Sequence, residues 1–121
     1  MKVRTLLKDK IKFKILHGTW TVNVVEAELF TAMNKGDDDV NAFALLEDHE
    51  IFLSKGDLKI EHLIHELTHA YFHMMCLSSS TMMTKECFEE IMCEFMSTHA
   101  PLLFKQADSL WEKIMKSSSK P

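Results

Sequence analysis

Asp57-Leu-Lys-Ile-Glu-His-Leu-Ile-His-Glu-Leu-Thr-His-Ala-Tyr-Phe-His-Met-Met-Cys-Leu77 is the stretch on which the reading of this chain turns. Ile60, Leu63, Ile64, Leu67, Tyr71 and Met74 recur at helical spacing behind Asp57, a residue type that caps helices. The spacing predicts one amphipathic helix from about Leu58 to Leu77. His65 and His69, four residues apart, share one face of it and can offer two imidazole nitrogens to a single ion. At about 100° per residue the pair falls opposite the stripe of Ile60, Leu67 and Tyr71, so it is free to line a cleft. Glu66 points to the side of the pair, where it can take a proton from a water on the ion without occupying a coordination position. A chance H-E-x-x-H in a chain of this size is an event of roughly a few per cent. Its place on an amphipathic helix behind strands is the context that the chemistry requires.

Upstream, Lys10 to Leu16 and Thr19 to Val25 alternate polar and apolar residues with period two, which predicts a β-hairpin turning at His17-Gly18. Glu26 to Asn34 reads as a short helical or irregular piece. Lys35-Gly-Asp-Asp-Asp39 reads as a solvated turn, because it lacks the spacing and closing Glu of a calcium loop. Ala42 to Leu46 and Ile51 to Ser54 form a second strand pair around Glu47-Asp-His-Glu50. Downstream, Ser78 to Thr81 is a polar loop, and Thr84 caps a helix that turns Phe88, Ile91, Met92 and Phe95 inward. A last helix opens at Pro101, with Leu103, Ala107, Leu110, Trp111 and Ile114 on one face. The expected fold is α+β: a small antiparallel or mixed sheet of about four strands, packed on the motif helix and two further helices. One domain is expected over residues 1–116, with a frayed tail at 117–121.

A chain of 121 residues holds one core and, by default, one site. The formal charge of −4 comes with no basic stripe, which argues against direct nucleic-acid binding. Charge returns in Met1 to Lys10 before an apolar leader can develop, and no later run approaches membrane-spanning length, so a cytoplasmic protein is expected. Cys76, Cys87 and Cys93 are odd in number and form no C-x-x-C pair, so they read as reduced, packed thiols. Nine methionines read as gap-fillers of a small core.

A catalytic zinc takes three protein ligands and keeps one place for water. Phe72 and Met75 stand where a metzincin would have its Gly and third His. His73 lies about 6 Å beyond His69 along the helix axis, which suits a supporting or substrate-facing role. The next helix offers Glu86, Glu89, Glu90 and Glu94. Glu90 is preferred, because Cys93 and Ser97 further along let that helix approach closely, and Glu94 could then hold a ligand His. Tyr71 and His73 are the candidates for support of a developing oxyanion, although Tyr71 belongs to the apolar stripe.

With these residues the chain resembles the ImmA/IrrE-type metallopeptidases of the zincin superfamily, including the short versions carried by phages and mobile elements. His65-Glu-Leu-Thr-His-Ala-Tyr-Phe-His73 is similar to that family's H-E-L-x-H-A-x-x-H. Glu90-x-x-Cys93-x-x-Met96-Ser97 is similar to its E-x-x-A-x-x-F-A, whose Glu is the third zinc ligand. Ala42 to Ser54 stands in the place of its substrate-flanking strands. The likeness covers about residues 20–104. Thr68 departs from the family's usual Gly, Cys93 and Met96 depart from Ala and Phe, and a Leu-Leu-Met-Pro motif is absent. A SprT-like protease with His99 as third ligand is the nearest rival. The resemblance implies an intracellular endopeptidase with one zinc on His65, His69 and Glu90, acting on a protein or peptide, often a helix-turn-helix transcriptional repressor. A water activated by the ion would attack the peptide carbonyl with Glu66 as general base. An edge strand, Ile51 to Ser54, would hold the substrate by β-addition. The alternatives are a catalytically silent zincin scaffold that binds a partner, and a metal-responsive regulator built on His62, His65, His69 and His73.

Overall fold

The computed structural model describes residues 9–34, 40–75 and 85–118. In β1 (Asp9–Ile15), Ile11, Phe13 and Ile15 turn to the core while Lys10, Lys12 and Lys14 face solvent, the outcome that period-two alternation dictates. β1 pairs antiparallel with β2 (Gly18–Val25), Ile15 opposite Gly18. The turn is therefore Leu16-His17, one residue earlier than expected, and Leu16 carries the left-handed φ of 55°. Gly18 serves close packing instead: a Cβ there would lie 2.5 Å from Cε of Met74 and 3.3 Å from Cε1 of His49.

α1 (Ala27–Met33) follows, and then β3 (Ala42–Leu45) and β4 (Glu50–Ser54). The sheet order is β1-β2-β4-β3, with β4 parallel to β2 and antiparallel to β3. Ile51 to Ser54 was expected at the edge, yet it is an inner strand. Ile51, Phe52, Leu53 and Ser54 are all buried, as befits a strand covered on both faces. The edge is β3, whose residues are half-buried or exposed.

Ser54 shapes the exit from β4, its Oγ accepting the Gly56 N–H at 3.1 Å in a 3₁₀ turn, Lys55–Asp57. Leu58 and Lys59 stay extended, and the motif helix α2 (Ile60–Met74) begins three residues after Asp57, which does not cap it. α3 (Lys85–Thr98) and α4 (Ala100–Ser118) complete the chain, with Pro101 in the first turn of α4 as expected. Thr84, Cys76, Lys35 to Asp39 and Ser78 to Thr81 lie outside the described residues. The described residues form an α+β domain of four helices and a four-stranded mixed sheet.

Two cores flank the sheet. On one face Trp20, Val22, Ile51 and Leu53 meet Leu63, Leu67 and Ala70 of α2 and Leu103, Ala107, Leu110 and Ile114 of α4. Each Val, Leu or Ile among them contributes about 1.5–3 kcal/mol on burial. On the other face Leu29 and Phe30 of α1 cover Val25 and Phe52, with Phe43 stacked on Phe52 at 4.9 Å. A polar chain ties three elements together: the Tyr71 hydroxyl donates to Gln106 Oε1 at 2.7 Å, and Gln106 Nε2 donates to the Lys14 carbonyl at 2.7 Å.

α3 departs from the expected inward face. Only Phe95 is buried, against Tyr71 and Phe72 with ring centroids at 6.5 and 5.0 Å, while Phe88 is 50% exposed. Phe88 shares the stripe but lies about 10 Å away along the axis, past this single contact. The thiols of Cys87 and Cys93 are exposed rather than packed. No helix among the described residues is long and apolar enough to cross a membrane.

Candidate functional site

α2 buries Leu63, Leu67, Ala70 and Tyr71 and turns His65 and His69 outward. The two imidazole centroids stand 4.9 Å apart with ring planes at 73°. Two imidazoles on one tetrahedral zinc, with Zn–N bonds near 2.1 Å, have centroids about 5.2 Å apart. The pair thus has the spacing that a shared ion demands.

Glu66 sits at the seam between the buried and the open face of α2, 7% exposed. No hydrogen bond among the described residues ties its carboxylate. Burial pushes its pKa up from the ordinary carboxyl value, an effect that His65, His69 and His62 partly offset by their charge.

The opposite wall is β3. One recess runs between Val40, Asn41 and Ala42 and the His62, His65 and Glu66 side chains. A second runs between Ala42, Ala44 and Leu46 and the Glu66 and His69 side chains. Ala42 and Glu66 belong to both, so the recesses make one groove along the sheet edge with Glu66 midway. The alanines keep it open, because any larger side chain at those positions would fill it.

The backbone of β3 is equally suited to a guest. The Ser54 N–H donates to the Asn41 carbonyl at 3.2 Å, which makes Asn41 and Ser54 a hydrogen-bonded pair. By the alternation of an antiparallel ladder, Phe43 then bonds to Phe52, and Ala42 and Ala44 turn their N–H and C=O groups to the open edge. An extended peptide can add there as a fifth strand, beside His65, Glu66 and His69.

The remaining expected site residues lie elsewhere. Glu90 is exposed on α3, about 140° around the helix from Phe95, the residue that faces α2. Glu86, Glu89 and Glu94 are exposed as well. Among the described residues no three His, Cys, Asp or Glu side chains gather into a group that could hold a metal, so the structure does not bring Glu90 to the histidine pair. The physical reason is that α3 turns Phe95, its one buried residue, toward α2 and leaves its glutamates in solvent. Tyr71 is on the core side of α2, with its hydroxyl on Gln106 and its pKa raised by burial.

His73 is half-buried at the far end of α2, in an aromatic cluster. His49 stacks on Trp20 at 4.5 Å, and the His73 ring stands edge-on to both, at 6.2 Å from Trp20 and 6.0 Å from His49. His99 lies against Phe95, 6.2 Å between centroids. His62, in sequence only one member of a histidine-rich helix, lines the groove beside His65 and Glu66. Its position three residues before His65 was the available signal that it shares the groove.

Comparison of the chain with protein-family models, with curated proteins and with solved structures gives no match.

Proposed function

We propose that this chain is a zinc-dependent endopeptidase that cleaves extended segments of a protein substrate, such as the helix-turn-helix repressors implied by the resemblance. The carrying observation is the groove itself: His65 and His69 at ligand spacing, Glu66 beside them, and across from all three an edge strand whose outward backbone groups are unpaired among the described residues. A minimal zincin-like arrangement is supported by the edge strand antiparallel to its neighbour and by the direct passage from β4 through one turn into the motif helix.

His65 and His69 would hold the ion. Zinc bound there supplies Lewis acidity, lowering the pKa of a coordinated water toward about 7 and polarising a carbonyl oxygen. Ala42 and Ala44 hold the substrate backbone in line with the pair. Glu66 would accept the proton of the attacking water and return it to the leaving amine. The small side chains of Ala42 and Ala44 leave room for a peptide to enter. As solvated on α3, Glu90 would complete the ligand set only with α3 turned about its axis.

Glu66→Gln tests this reading. The variant is expected to retain zinc as the wild type does and to cleave peptides at least about a hundredfold more slowly. Equal cleavage rates would overturn it.

A further inference from the structure

We propose that His62 is a substrate-positioning residue, accepting a backbone N–H of the bound peptide on the C-terminal side of the cleaved bond; this rests on the peptidase reading above. Nδ1 of His62 lies 3.2 Å from the Asp57 carbonyl oxygen, which has no proton to give. In the neutral ring Nδ1 therefore carries the proton and donates it to Asp57, and Nε2 keeps a lone pair. That bond exists because the 3₁₀ turn leaves the Asp57 carbonyl beside the first turn of α2. The imidazole is thus held in one tautomer and one orientation, in the recess that it shares with His65 and Glu66.

A strand laid on the open edge of β3 pairs through alternate residues and turns the intervening N–H and C=O groups to its other side. Those groups face α2 and need partners once water is displaced. At the Val40 end of the groove the His62 Nε2 lone pair is the neutral acceptor on the α2 wall, since Glu66 is reserved for the proton transfer, Glu61 is exposed and Asn41 belongs to the β3 wall. The direction follows from the two walls. Val40 and Asn41 face His62, whereas Ala44 and Leu46 lie farther on, near His69, so β3 and α2 run the same way. Antiparallel pairing, the more stable kind, lays the C-terminal half of the peptide toward Val40 and His62.

The probe is the octapeptide that wild-type protein cleaves fastest in a random pool, made full length and also ending in an aminocoumarin amide at the cleaved bond. His62→Phe, which removes the acceptor and keeps a ring, is expected to raise KM for the full-length peptide about five- to tenfold, with kcat little changed. The advantage of the full-length over the truncated peptide should shrink by the same factor. His62→Gln, which keeps an acceptor oxygen, should restore most of it. Zinc content is measured on every variant. An undiminished advantage in His62→Phe overturns the proposal, and so does an equal loss on both peptides or a loss of zinc. If wild-type protein cleaves nothing in the pool, the peptidase reading falls and this inference with it. If it cleaves and His62→Phe behaves like wild type, only the inference falls.

Discussion

Glu66→Gln should make the metal-free protein more stable at pH 8 while leaving its stability at pH 3.5 unchanged. The carboxyl is 7% exposed, and its pKa is raised chiefly by burial. The sign follows from proton linkage. A folded-state pKa above the unfolded value, ordinarily about 4.3 for Glu, means that the folded chain binds the extra proton between the two values. Stability is full below the unfolded value and falls as pH rises through the folded one. Above it, the wild type carries a buried carboxylate with no hydrogen bond among the described residues. Glutamine has nearly the same volume and no charge to desolvate. The carboxylate opens onto the groove, and an amide in its place would also lack a partner, so the difference between the two comes to about 1 kcal/mol. For a domain of this size the gain corresponds to a Tm about 3–8 °C higher. The assay is thermal unfolding by circular dichroism in a chelator, run as a pH series on both proteins. A gap that is the same at pH 3.5 and pH 8, or a variant less stable than wild type at pH 8, would refute the reasoning.

His65→Ala and His69→Ala should each weaken zinc binding at least about a hundredfold by calorimetric titration, since either change leaves a single imidazole of the pair. Glu90→Gln is expected to leave zinc affinity within about twofold of wild type, because the side chain is solvated on α3; a hundredfold loss would show that α3 turns when metal binds. Tyr71→Phe strips Gln106 Oε1 of its donor and should cost about 1–2 kcal/mol in chemical denaturation while leaving kcat unchanged, and a fall in kcat would return Tyr71 to the chemistry.

Local pattern carried much of the fold into view. The Lys-apolar alternation of Lys10 to Ile15 and the helical stripe of α2 each need only neighbours in the chain, and both stand as expected. What escaped depends on distant partners. Gly18 looked like a turn residue because glycine often is one, but its neighbours in space are Met74 and His49. Ala42 to Leu45 and Ile51 to Ser54 are similar short apolar runs. Which one lies at the edge is decided by the pairing of β4 with β2, a crossover that neither run announces. Asp57 resembled a helix cap, whereas Ser54 captured the turn before it.

The site divides in the same way. His65, Glu66 and His69 lie on one helix, so spacing alone places them together. The relation of Glu90 to them depends on how α3 rolls against α2, and Phe88 and Phe95 share a stripe that left two docking positions open. His62 acquires its meaning only through the Asp57 carbonyl, a bond that the 3₁₀ turn creates.

Zinc-loaded protein incubated with a random octapeptide pool in ¹⁸O-labelled water, followed by mass spectrometry, decides whether the groove along β3 hydrolyses peptides. New C-termini bearing one ¹⁸O atom are expected with wild type and not with Glu66→Gln. An intact pool with wild-type protein that holds one zinc per chain, or the same labelled fragments from both proteins, would contradict the assignment.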